Sequence, residues 1–349
     1  MLVVEGLITD DESYITLSRS GNTTEPWIDS NYIYDATVYV ECDDGSIFYA
    51  EAPSGEKGSE SIDAIPRYFI NTGTLELEKK YRLKIEIDEG TGVNIYSSDF
   101  SYPLKTPEID SIFWTKEGIG HPVKLHVATQ SHDKGIMYYQ WQYEEKWETT
   151  TLVPHYLYPS LCWNTYYSSE LLLGASEKTL LGQTINKLTE IPPSDDKFAL
   201  LYRIIVNQNA ISPSAYDYFA NVKKNATQAG SLHAPVLSEL RGNIFCENEP
   251  NRPVIGYVEI ATTAQKYLYI HSNEVHEPIP LPPPDPETGM VYMQCRILGL
   301  GDIEEMFGVG NIPPDYVPFT PNYPVYILRS CVDCTVNGGA TVKPEYWPR

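Results

Sequence analysis

A chain of 349 residues with 42% hydrophobic content is long enough for two domains with real cores. Its 47 acidic against 25 basic residues give a net charge of −22, a field that repels duplex nucleic acid and anionic bilayer surfaces. No apolar run approaches the roughly 18 residues of a membrane-spanning helix, and 27 Tyr and 27 Pro beside only 5 Met favour strands and shaped loops over helical bundles.

The chain starts directly in a strand-like segment, Met1-Leu2-Val3-Val4, with no charged start or apolar signal core ahead of it. Either the protein is cytosolic, or a signal segment has been cut off and Met1 is an added residue. Residues 2–9 and 14–20 read as strands joined by the acidic turn Asp10-Asp11-Glu12. Over 36–42, Val38, Val40 and Cys42 face one way and Thr37, Tyr39 and Glu41 the other, which makes Cys42 a small core residue. Asp43-Asp44-Gly45-Ser46 turns the chain back into 47–50. Alternation resumes over 81–88, with Leu83, Ile85 and Ile87 inside. Such spacing predicts an immunoglobulin-like β-sandwich over residues 1–105, and the two prolines of 101–107 mark its end.

Residues 106–349 then read as a larger β-rich domain, so the expected fold class is mainly β with two sandwich-type domains. Strands are expected over 110–115 and 123–127, and over 137–147 Met137, Tyr139, Trp141 and Tyr143 share a face. Residues 156–167 are too irregular to assign; 170–175 reads as a strand and 176–191 as loop with a turn or two of helix. LLYRIIV is a core strand by its β-branched content. One long helix follows over 213–229. Ser212 caps it, Pro213 takes the first position, and Ala215, Phe219, Val222 and Ala226 share a face against the sheet. Residues 254–261 and 266–272 read as strands, 302–307 as a short helical turn and 325–328 as the last strand. Between them lie two proline-rich segments, 278–289 and 311–324, both extended.

Four of the six cysteines crowd into the last third. Cys331-x-x-Cys334 lacks the βαβ context of a redox pair, and a zinc site from Cys246, Cys295, Cys331 and Cys334 lacks a second C-x-x-C. The leading expectation is at least one disulfide among Cys162, Cys246, Cys295, Cys331 and Cys334, in an oxidising compartment. The tail of 331–349 is expected to pack on the second domain through Tyr346 and Trp347.

Chemistry-bearing motifs are sparse. The nucleophile elbow, the zincin motif and the phosphate-binding glycine loops are absent, and neither a cofactor nor a metal is implied. HSNEVHE, with His271, Glu274, His276 and Glu277, is the one local cluster of possible zinc or calcium ligands, and a solvated loop after a strand is the leading reading of it. Asn22 and Asn225 begin glycosylation-type sequons, the second inside the expected helix. Trp141, Trp147, Trp163, Tyr166 and Tyr167 offer faces for sugars or partner side chains, although tyrosines also populate strands simply because they pack well there. Tyr316, Phe319 and Tyr323 of the second proline-rich segment are the expected exposed ligand contacts.

LVVEGLITDDESYITLSRS, YYQWQYEEKWE, Cys162-Trp163, the 207–225 helix segment, RGNIFC with VIGYVEIA, and CVDCTVNGGATVKPEYW follow one another in order. Together they resemble the bacterial family called "domain of unknown function 4249". The resemblance implies an exported lipoprotein of a Gram-negative outer membrane, anchored through a cysteine upstream of Leu2 and working beside a TonB-dependent transporter. It implies no catalytic residue. The expected function is non-catalytic assistance of nutrient capture at the cell surface or periplasmic side, with a glycan or peptide as ligand. A glycan- or peptide-acting hydrolase and a structural or adhesive surface protein are the alternatives.

Overall fold

Alternating apolar residues build the first sandwich. The computed structural model describes all residues except 12, 21–30, 54–64, 91, 131–136, 177–182, 229–241, 276, 278–294, 296, 322 and 349. β1 (Leu2–Ile8) and β2 (Ser13–Arg19) pair antiparallel, and the turn between them is closed by Thr9 N–H donating to Ser13 Oγ at 2.8 Å. β3 (Thr37–Cys42) and β4 (Ile47–Tyr49) form the expected hairpin around Gly45, whose φ of 90° suits a residue without Cβ. β5 (Tyr68–Ile70) extends the first sheet, while β6 (Tyr81–Asp88) and β7 (Val93–Ser98) extend the second. Val4, Ile15, Val40, Leu83 and Ile85 meet between the two sheets, all buried.

The second sandwich starts with β8 (Ser111–Thr115) and β9 (Val123–Gln130). The long β10 (Tyr138–Thr150) is flanked by β11 (Leu161–Tyr167) and β12 (Leu172–Ala175), which lie end to end along one side of it. β13 (Gln183–Ile191) completes a three-stranded sheet with β9 and β8. This strand replaces the loop expected over 176–191. β14 (Leu201–Ile211) pairs with β10 from Tyr138↔Ile211 to Trp147↔Tyr202 and leads into helix α1 (Pro213–Gln228). Ser212 caps α1 as expected, its Oγ accepting from Ala215 N–H at 3.2 Å. Ala215 and Tyr218 are buried beneath the helix, with Phe219 and Val222 half-buried.

The chain then returns to the first sandwich and leaves it again after residue 260, so the boundary drawn at residue 105 is the first of three crossings. β15 (Ile244–Cys246) pairs with β7, and β16 (Val254–Gly256) and β17 (Glu259–Ile260) both run parallel to β1. Residues 244–260, assigned by sequence to the second domain, therefore complete the first: Ile244, Cys246, Val254, Val258 and Ile260 lie in its core. RGNIFC and VIGYVEIA interlock there. A Cβ on Gly242 would sit 1.5 Å from the Gly256 carbonyl oxygen, and the Asn243 amide both accepts from Val258 N–H and donates to its carbonyl, at 2.9 and 2.7 Å. Cys246 is a free, fully buried thiol among these residues, not a disulfide partner; Cys42 is likewise free and buried, as its alternation predicts.

β18 (Thr263–His271) rejoins the second sandwich at the edge beside β14, giving the sheet order β11-β10-β14-β18. After the short α2 (Ser272–Val275), the strands β19 (Leu298–Gly299), β20 (Tyr316–Pro318) and β21 (Val325–Leu328) form a small third sheet, with helix α3 (Leu300–Phe307) following β19. Its core of Val317, Ile327, Cys331 and Val332 is too small to stand alone. Two disulfides, Cys295–Cys331 and Cys162–Cys334, fasten it, the second to β11. The tail packs on the second sandwich as expected. Trp163 and Ala340 exchange two backbone hydrogen bonds at 2.8 Å, and Trp347 is buried against Trp163 and Leu201 while its Nε1 donates to Glu148 at 2.7 Å.

Candidate binding cleft

Strand alternation places Tyr139, Trp141, Tyr143 and Glu145 of β10 on its inward face, so an acid sits at the mouth of the second core. Glu145 is 1% exposed. Its charge is answered from two elements. Tyr202, at the start of β14, donates to Oε1 at 2.6 Å, and Lys197 donates to Oε2 at 2.7 Å. Lys197 is aimed by a tight 3-10 turn over Asp196–Phe198, capped where the Asp195 carboxylate accepts Lys197 N–H at 2.9 Å. Its ammonium also lies over the rings of Trp147 and Tyr166, 5.1 and 5.0 Å from their centroids. Burial, and then the Glu145 carboxylate, push the Tyr202 phenol well above its usual range, which keeps it a donor.

Above this floor opens a cleft of about 440 Å³. Tyr143 and Tyr166 line it, and Glu170, Lys187, Glu190 and Asp195 stand around it. Lys187 and Glu190 are ion-paired at 2.7 Å, which holds the Glu190 carboxyl below its usual range. With Glu145 matched by Lys197 and Glu190 by Lys187, Glu170 and Asp195 leave the cleft acidic. Its chemistry suits a neutral or cationic polar group presented against a tyrosine ring.

The residues expected to bind ligand lie elsewhere, on the small third sheet. Tyr316 is half-buried with its ring 5.7 Å from Phe307, and Phe319 is half-buried 6.0 Å from His155. Both pack inward and are not the exposed contacts expected; Tyr323 alone of the three is open, at 72% exposure. The other proline-rich segment, 278–289, lies outside the described residues, as do His276 and the Asn22 sequon. In HSNEVHE, Glu274 accepts from His271 N–H, Glu277 pairs with Lys116, and among the described residues no group of three metal-ligand types forms. Of the aromatic cluster, Trp141 is core, Trp147 and Tyr166 flank Lys197, Trp163 meets the tail, and Tyr167 stands 65% exposed. In a chain with 47 acidic residues the pair Asp195-Asp196 does not stand out. The signal that it starts a turn lies in the preceding prolines, Pro192 and Pro193, which favour such a reversal.

No curated protein matches this sequence. The family model described as "Domain of unknown function (DUF4249)" matches residues 1–267, both sandwiches up to the middle of β18. The quoted tail motif at 331–347 falls beyond the match. With more than half the chain covered, the protein belongs to the DUF4249 family.

Proposed function

We propose that the protein is an exported, lipid-anchored binding protein of the outer membrane that holds a ligand for a TonB-dependent transporter without transforming it. The observation that carries this reading is the engaged state of the cleft floor. Glu145, the buried carboxylate there, already accepts from Lys197 and Tyr202, so its charge serves to orient other groups rather than to move a proton. The two disulfides, Cys162–Cys334 and Cys295–Cys331, suit an oxidising, extracytoplasmic setting, and among the described residues no helix is long and apolar enough to cross a membrane.

The test is to solubilise the lipoprotein from its native membrane under mild detergent and identify its companions. Co-purification of a TonB-dependent β-barrel transporter in near-stoichiometric amount is expected. Recovery from the cytosolic fraction, or from the membrane without any such transporter, overturns the proposal.

A further inference from the structure

The outward face of the β11-β10-β14-β18 sheet carries a second arrangement, separate from the cleft. Register fixes its rows. Tyr167 of β11 lies opposite Glu144 of β10, Glu144 opposite Ile205 of β14, and Ile205 opposite Tyr267 of β18. One transverse row thus ends in two tyrosines, 65% and 57% exposed. Three strand spacings separate them, about 14 Å. The next row is Gln142, Asn207 and Gln265, where Gln265 donates to Asn207 at 2.9 Å and all three are amides. On the other side, Tyr346 and Trp347 of the tail close the face.

Tyr267 is held in place at unusual cost. Arg203 is 7% exposed, and among the described residues its Nε and Nη1 have no acceptor. A buried guanidinium normally takes a carboxylate. Here Glu144 is instead ion-paired to Lys146, and the guanidinium lies against three rings: Tyr267 at 4.8 Å, Tyr269 at 5.5 Å and Tyr346 at 4.2 Å. Tyr267 rests on Arg203 and meets Tyr269 at a steep angle, and more than half of its surface is left to solvent. Strand packing alone explains an exposed tyrosine; it does not explain a desolvated cation beneath one.

We propose that this face is a stacking platform for a neutral oligosaccharide, with Tyr167 and Tyr267 each covering the apolar face of a sugar ring and Gln142, Asn207 and Gln265 bonding the hydroxyls along one edge. Sugars pair an apolar ring face with a polar rim, which matches flat π-faces beside a line of amides. The spacing of the rings selects a chain of several sugars over a single one. An acidic glycan is disfavoured by the overall charge of −22. The inference stands apart from the transporter reading, since it concerns the isolated protein.

Calorimetric titration of the purified chain with xylohexaose, maltohexaose, cellohexaose and mannohexaose, and with their monosaccharides, tests it. At least one hexasaccharide is expected to bind and its monosaccharide to fail. Tyr167→Ala and Tyr267→Ala are each expected to weaken binding about tenfold, roughly 1.4 kcal/mol, while Tyr→Phe at either site retains it. Tyr167 is more than half exposed, so Tyr167→Ala should keep the wild-type melting temperature, as should Tyr267→Phe, which leaves the ring on Arg203. Three results overturn the proposal: no hexasaccharide binds, the double alanine variant binds like wild type, or the monosaccharide binds as tightly. A double variant that loses a co-purifying transporter while no sugar binds the wild type makes this face a protein interface instead. Sugar binding without any transporter leaves the platform intact and removes only the transporter reading.

Discussion

Lys197 decides whether the cleft floor holds together. With Glu145 buried at 1% exposure, removing the ammonium leaves a carboxylate with Tyr202 as its remaining side-chain donor. Lys197→Met keeps the stem between Trp147 and Tyr166 and removes the charge, so the expected loss is about 3 kcal/mol in urea denaturation. Tyr202→Phe removes a single hydrogen bond and should cost about 1–2 kcal/mol. A Lys197→Met variant within about 0.5 kcal/mol of wild type would show that the pair does not secure the floor. The alternation of β10 already puts Glu145 inside. What the sequence hides is the partner, 52 positions away, whose reach depends on a turn that only the fold brings alongside.

Elements whose pattern is clean were legible, and those whose pattern is interrupted were not. β3, β6 and the helix behind Ser212 follow from alternation, capping and spacing. β13 did not, because a bulge between Lys187 and Thr189 shifts its register, leaving Leu188 buried and Ile185 outside. β11 did not, because Tyr166 and Tyr167 sit exposed at its end and blur the two-residue period. The small third sheet depends least on its own sequence and most on its fastenings. Cys162–Cys334 spans 172 positions, a closure worth roughly 5 kcal/mol at most in unfolded-chain entropy. Reduction under native conditions should therefore lower the melting temperature. Trp347→Ala, which empties a buried site between Trp163 and Leu201, should cost about 3 kcal/mol with both disulfides intact. Thermal melts of the oxidised, reduced and Trp347→Ala proteins check this. If all three coincide, the tail is not fastened as described.

The two sandwiches are joined where two of the chain's three crossings between them meet. Leu104 N–H donates to Ile260 O at 2.9 Å, Thr262 N–H donates to Leu104 O at 2.9 Å, and Thr106 N–H donates to Thr262 Oγ1 at 2.9 Å, so the crossings lie side by side. Glu259 stands at this junction. It lies on β17, paired with β1 of the first sandwich, and its carboxylate accepts Ser212 N–H at 2.8 Å at the head of α1 in the second. Burial, at 6% exposure, raises its pKa above the ordinary 4.5 despite the Ser212 hydrogen bonds that pull the other way. The sign follows: with the folded value above the unfolded one, Glu259 favours the folded state fully below pH 4.5, and that contribution is lost as pH rises through the raised value. Glu259→Gln keeps an acceptor for Ser212 and never ionises. Relative to wild type it should therefore be more stable at pH 7.5 than at pH 4, and Glu259→Leu, equally unable to ionise but without the acceptor, should follow the same trend about 1–3 kcal/mol below Glu259→Gln at both pH values. Urea denaturation of the three proteins at both pH values reads the difference. A Glu259→Gln variant whose relative stability is the same at both, or falls as pH rises, would mean that the junction holds its carboxylate charged without penalty.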